Sequence, residues 1–212
     1  MKIINIIIAL ILLIGYADAL SEVSLIIPAQ RINVGDTFDV FIYINPKGAE
    51  IAGAQSNLLF NKSVIRVNSV SEGNLFRQYG GSTYFFITKI DNQSGVVYNI
   101  VDVILGKYNV TTPATFAIIN VTTISSGSSN LNLSNVIIAS PEAQPVPLST
   151  FNQSLNSYSI SDINGDWIID LLDIVSVSQH FGETTYYPYP SYDVNKDRVV
   201  DILDMMVVAR NI

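Results

Sequence analysis

Between residues 38 and 44, Phe38, Val40, Ile42 and Ile44 alternate with Asp39, Phe41 and Tyr43, and the run stops at Asn45-Pro46. A period of two sends alternate side chains to opposite faces, so the segment predicts a β-strand buried on one side. Similar runs follow. Residues 56–60 form one that breaks at Asn61-Lys62 and resumes over 64–67. Residues 83–90 and 96–104 flank Asp91-Asn92-Gln93-Ser94-Gly95, whose composition predicts a hairpin loop. Ala117, Ile119, Val121 and Thr123 alternate again, and Leu131, Leu133 and Val136 open a further strand. No useful helical period occurs between residues 23 and 160. Many short strands at this spacing predict a mainly β domain, a sandwich of two packed sheets.

The pattern changes at residue 161. Asp162-Ile163-Asn164-Gly165-Asp166-Trp167-Ile168-Ile169-Asp170-Leu171-Leu172-Asp173 returns as Asp193-Val194-Asn195-Lys196-Asp197-Arg198-Val199-Val200-Asp201-Ile202-Leu203-Asp204. Each copy leads into a helical apolar pattern, Ile174-Val175-Ser176-Val177 and Met205-Met206-Val207-Val208. A duplicated loop-helix predicts a small α module after the sandwich.

The spacing carries chemistry. Calcium takes about six to eight oxygen ligands, and a twelve-residue loop supplies them from positions 1, 3, 5, 7, 9 and 12. In the first copy these are Asp162, Asn164, Asp166, the Ile168 carbonyl, Asp170 and Asp173. In the second they are Asp193, Asn195, Asp197, the Val199 carbonyl, Asp201 and Asp204. Carboxylates so crowded repel one another without a cation, so two Ca²⁺ ions are expected. Position 6, where such loops turn sharply and favour glycine, holds Trp167 and Arg198. Residues 161–212 are also too few for a self-sufficient core. Without cysteine, metal is the remaining staple.

Bulk composition narrows the function. A net charge of −7 argues against nucleic acid, which requires a basic surface. Lys2, the apolar run 3–14 and Ala17-Asp18-Ala19 read as a secretory signal over residues 1–19 with cleavage expected after Ala19, an uncleaved anchor being the alternative. No span of the membrane is expected after cleavage, and the mature chain should be extracellular, secreted or held at the cell surface. Asn-x-Ser/Thr triplets at Asn61, Asn92, Asn109, Asn120, Asn132 and Asn152 fit a glycoprotein.

Ile44-Asn45-Pro46-Lys47-Gly48, Ile51-Ala52-Gly53-Ala54-Gln55 and Leu59-Phe60-Asn61 resemble the early strands of a cohesin domain. Glu72-Gly73-Asn74-Leu75-Phe76, Ile104-Leu105-Gly106, Thr115-Phe116-Ala117 and Leu133-Ser134-Asn135-Val136 continue the resemblance in order. It implies a jelly-roll sandwich over residues 20–160 that binds dockerins on one sheet face. Residues 161–212 resemble a dockerin module. That resemblance implies cohesin contacts at loop positions 10 and 11, Leu171 and Leu172 in one copy and Ile202 and Leu203 in the other. Helix geometry would divide each pair, one residue for the module core and one for contact.

Six aromatic residues, Tyr79, Tyr84, Phe85, Phe86, Tyr98 and Tyr108, could stack on sugars if exposed. Core filling is the expectation, with Tyr84 and Phe86 on one face and Phe85 on the other. The Tyr- and Pro-rich stretch 184–192 reads as an inter-repeat loop, and His180 as a helix-end residue. Catalysis is not expected: that single histidine lies far from any nucleophile pattern. Among Glu22, Asp36, Asp39, Glu50, Glu72, Asp91, Asp102 and Glu142, nothing marks a pair. The expectation is a secreted non-catalytic adaptor that binds cohesin or dockerin modules of other extracellular proteins. A polysaccharide-binding protein anchored by its dockerin and a cell-surface structural protein are the alternatives.

Overall fold

The computed structural model describes residues 20–27 and 31–212, so the signal reading of residues 1–19 lies outside it. Strands run in the order β1 (Ser21–Ile26), β2 (Ile32–Asn33), β3 (Thr37–Asn45), β4 (Gly53–Leu59), β5 (Ile65–Glu72) and β6 (Ser82–Phe86). They continue with β7 (Lys89–Asp91), β8 (Val96–Leu105), β9 (Ala114–Thr123), β10 (Gly127–Ala139), β11 (Leu148–Phe151) and β12 (Gln153–Tyr158). Two helices follow, α1 (Leu171–Ser178) and α2 (Ile202–Ala209).

The strands build the sandwich that the alternation predicts. One sheet has the order β11-β1-β3-β9-β5, and the other β2-β12-β10-β4-β8-β6 with β7 also paired to β8. Val40, Ile42 and Ile44 of β3 line the core beside Phe116, Ile119 and Val121 of β9, and Leu58, Ile100 and Leu131 fill it from the other sheet. Each fully buried aliphatic or aromatic chain contributes about 1.5–3 kcal/mol relative to exposure. At Asn152 the chain leaves the first sheet for the second, and its Oδ1 accepts the Leu133 N–H at 2.9 Å. The predicted hairpin forms, with Asp91 opposite Val96 and Gly95 at φ 73°. The single strand expected over 83–90 divides into β6 and β7.

Gly73 marks the closest approach of two segments. Its N–H donates to the Phe116 carbonyl at 2.9 Å, and a Cβ there would lie 2.1 Å from the Thr115 carbonyl oxygen. Backbone, not a flexible side chain, blocks the space. Gly73→Ala is expected to lower stability by about 3 kcal/mol, read as an earlier urea midpoint at unchanged slope.

The structure overturns one burial expectation. Of the six aromatics, Phe85 alone packs against the core, while Tyr79, Tyr84, Phe86, Tyr98 and Tyr108 are exposed. The reason lies in β8, where Asp102 points inward and is buried while Val101 and Val103 point outward. The register aligns Phe86, Val101, Gln55 and Ile137 in one outward row, and Tyr84, Val103, Gly53 and Ala139 in the next. The outer face of the seven-stranded sheet is therefore largely apolar along these two rows, whereas Ser128, Asn130 and Asn132 of β10 are exposed beyond them. The opposite outer face carries Asp39, Asn68, Asn120 and Thr122, tied together by side-chain hydrogen bonds.

A second correction concerns the carboxylates. Glu72 and Asp102, unpaired in the sequence reading, come together between the sheets, with Arg77 and Thr83 bonded to Glu72. Burial first, and the Glu72 charge second, push the Asp102 carboxyl up to about 7. Asp102 is buried inside the sandwich, and Glu72 is half-buried at the end of β5.

Candidate metal centre

Both repeats fold as the same loop, entered four residues after β12 ends. Asp162 and Asp173 bracket the first loop and are buried, as are Asp193 and Asp204 in the second. The first carboxylate gathers amides across the turn: Gly165 N–H donates to Asp162 Oδ1 at 2.8 Å and Trp167 N–H to Oδ2 at 3.0 Å. The last carboxylate closes the ring, with Asp173 Oδ1 accepting from Ile163 N–H at 2.7 Å and Asn164 N–H at 3.1 Å. Its Oδ2 accepts the Asp170 N–H at 2.9 Å, while Asp170 caps α1 through the Leu172 N–H at 2.7 Å. In the second loop Asp204 accepts from the Asn195 and Asp201 N–H groups, and Asp201 caps α2 through the Leu203 N–H. Reciprocal capping and a carboxylate at the positive helix end explain why both helices start where they do.

Asn164 and Asp166 stay exposed at positions 3 and 5, as do Asn195 and Asp197. The Ile168 and Val199 residues, whose carbonyls occupy position 7, are exposed too. Position 6 turns sharply as expected, with Trp167 at φ 68° and Arg198 at φ 81°. Position 4 is also left-handed, at Gly165 (φ 79°) and Lys196 (φ 61°).

The loops also differ in how the first carboxylate is met. Asp193 Oδ1 is buried without a hydrogen-bond partner, whereas its counterpart in loop one accepts the Gly165 amide. A carboxylate oxygen left so is costly unless a cation meets it. The donor set, hard oxygens from Asp, Asn and main-chain carbonyl, suits calcium. Among the described residues, no three acidic side chains gather tightly enough to hold an ion by themselves.

Around the loops the module has a small core of Ile163, Val177, Val194, Val200 and Val208. On α1, Asp173 and Val177 face inward, one turn apart, and Asp204 and Val208 do the same on α2. This leaves both members of each proposed contact pair outside: Leu171 is 69 % exposed, Leu172 58 %, Ile202 56 % and Leu203 49 %. The expected division of each pair between core and contact does not occur, because the inward stripe begins at position 12.

His180 stacks on Tyr192 with centroids 3.6 Å apart, and its Nδ1 lies 3.0 Å from Glu183 Oε1. It has no nucleophile beside it. Residues 187–191 of the inter-repeat loop line a cleft with Arg31, Asn33 and Asp36 of the sandwich.

Sandwich and duplicated loop together define a protein with two interaction modules. The cohesin domain family profile matches residues 23–156, and the dockerin type I domain profile matches residues 160–212. The chain therefore belongs to the cohesin family and carries a dockerin type I domain behind its cohesin domain. Both are non-catalytic interaction modules, and dockerin type I domains bind calcium. Among solved structures, a non-cellulosomal cohesin from the hyperthermophilic archaeon Archaeoglobus fulgidus is similar at 14 % identity, with a TM-score of 0.50 over 66 % of this chain and 91 % of that one. A type II cohesin from the cellulosome of Acetivibrio cellulolyticus has 10 % identity and a TM-score of 0.53 over 65 % and 96 %. A type II cohesin–X–dockerin complex from the same organism gives 10 % and 0.52 over 65 % and 99 %. At these identities the likeness is one of fold. No curated protein matches the chain. No described helix is long and apolar enough to cross a membrane.

Proposed function

We propose that the chain is a secreted, non-catalytic adaptor, with a sandwich that receives a dockerin and a C-terminal module that docks into a cohesin. The observation that carries this reading is the exposure of Leu171, Leu172, Ile202 and Leu203. Two like apolar pairs stand at the starts of two like helices, each presented by a loop that a calcium ion would brace. Asp162, Asn164, Asp166, Ile168, Asp170 and Asp173 would hold one ion, and Asp193, Asn195, Asp197, Val199, Asp201 and Asp204 the other. An ion in each loop neutralises its carboxylates and fixes the helix start, so the apolar pair meets a partner already ordered. On the sandwich, the apolar rows of Tyr84, Phe86, Val101 and Val103 are the matching receptor surface.

The test is a calorimetric titration against a panel of isolated cohesins. Replacing Leu171 and Leu172 with Asp in one variant, Ile202 and Leu203 in a second and all four in a third should leave either single face competent. The quadruple variant is expected to lose about 100-fold or more in affinity, as hot-spot truncation does. Undiminished binding by the quadruple variant would remove the helix faces from the interface.

The exposed Tyr79, Tyr84, Phe86, Tyr98 and Tyr108 favour one second reading, a sandwich that stacks its rings on polysaccharide. Retention on insoluble glycans, lost in Tyr84→Ala and Phe86→Ala, separates it from the adaptor. Extracellular location and use of the Asn-x-Ser/Thr sites belong to the same proposal. Asn92 is a poor acceptor within it, since both ends of its amide bond the Val67 backbone, at 2.8 and 2.9 Å.

A further inference from the structure

The first loop is built partly from the sandwich. Arg31, just ahead of β2, donates from Nη1 to the Ile163 carbonyl at 3.3 Å and from Nη2 to the Asp162 carbonyl. The same guanidinium carbon lies 4.4 Å from the centroid of the Tyr158 ring, at the end of β12. Tyr158 in turn stacks on Trp167, with centroids 5.9 Å apart and planes inclined by 14°. Gly165 fits beneath them: a Cβ there would meet Arg31 Nη1 at 3.4 Å and Tyr158 Cε1 at 3.5 Å.

Among the described residues no comparable guanidinium or ring contact reaches the second loop, whose Asp193, Val194 and Lys196 line a cleft with Ile32, Asp36 and Phe38 of the sandwich. Its position 4 is Lys196, and Arg198 at position 6 lies near the Tyr189 hydroxyl of its own module. Loops with equal ligand sets therefore differ in what holds them. A non-glycine residue in the left-handed region is strained, and the Tyr158 stack is what Trp167 gains by adopting it.

We infer that Tyr158 and Arg31 are positioning residues of the first calcium site, so that the sandwich pre-forms loop one and loop one takes calcium more tightly than loop two. The inference rests on the calcium reading of the loops above. It also ties part of the module's seat on the sandwich to loop one. By linkage, whatever lifts the module off the sandwich weakens that one site, and calcium in it holds the module down.

The full chain is titrated with calcium against a competing chelator, following the amide resonances of residue 167 for loop one and residue 198 for loop two. Tyr158→Ala changes no ligand and no charge. It is expected to weaken the loop-one step about threefold to tenfold, the range of one aromatic contact, and to leave loop two within twofold. Trp167→Gly supplies the second arm. Relief of left-handed strain by itself would tighten loop one, whereas loss of the stack weakens it, and weakening is expected. A loop-one step unmoved by Tyr158→Ala, both steps weakened alike, or a step unchanged or tightened by Trp167→Gly, overturns the inference while leaving calcium in place. A wild-type chain that binds no calcium overturns the metal reading itself and this inference with it.

Discussion

Stripping calcium with a chelator is expected to unfold residues 160–212 while the sandwich stays folded. The module buries five aliphatic chains, Ile163, Val177, Val194, Val200 and Val208, a small core for its length. Its remaining order comes from Asp162, Asp173, Asp193 and Asp204, whose carboxylates are buried close to further acids in each loop. Bound at about a thousandfold excess over the dissociation constant, a single ion stabilises the folded form by about 4 kcal/mol. Removing two such terms exceeds what a domain this small holds in reserve. Amide dispersion for residues 160–212 should collapse on chelation and return on adding calcium, with resonances of β3, β9 and the other core strands unmoved. Asp162→Ala combined with Asp193→Ala should copy the chelated state. Dispersion that survives chelation would mean that hydrogen bonds alone hold the loops.

The second large effect belongs to Asp102. Its carboxyl is raised to about 7 by burial and by the Glu72 charge, from about 3.9 in an unfolded chain. The folded protein therefore holds this proton more tightly than the unfolded one. Its contribution to stability is full below about pH 4, falls as pH rises towards 7, and is flat above. Asp102→Asn keeps a donor for Glu72 and removes the charge. The variant is expected to gain about 2 kcal/mol over wild type at pH 8, and nothing near pH 4. Urea midpoints at the two pH values decide it. Equal differences at both would place the cause in packing, not in titration.

These two sites illustrate what the sequence could and could not convey. The two loops were legible because the acids and amides of each lie within twelve residues, and because the spacing occurs twice. The strands of the sandwich were legible from their period. Which face of a strand turns inward was not, since alternation names two faces without choosing between them. The pattern Val101-Asp102-Val103 invites the reading that the valines are buried, and the structure does the reverse. The signal was available in hindsight: apolar residues facing out on β6, β8 and β10 form a surface that water alone would not favour. Local spacing could not disclose the contact of Arg31 with Asp162, which joins residues 131 apart in the chain. Nor could it show that Leu171 and Leu172 both stand free, because that depends on where the inward stripe of α1 begins.

The pairing of the first and last strands bears on how the molecule would carry a load. β1 runs parallel to β11, with Ser21, Glu22, Val23 and Ser24 opposite Leu148, Ser149, Thr150 and Phe151. β2 runs parallel to β12 in the other sheet, at Ile32 and Asn33. If one end of the chain were anchored and the other towed, tension would enter β1 at its start and leave β11 at its end. The hydrogen bonds between them would then be strained together in shear, not peeled apart one after another. Under traction the sandwich would be the stiff link, and the small module behind it the part that yields first.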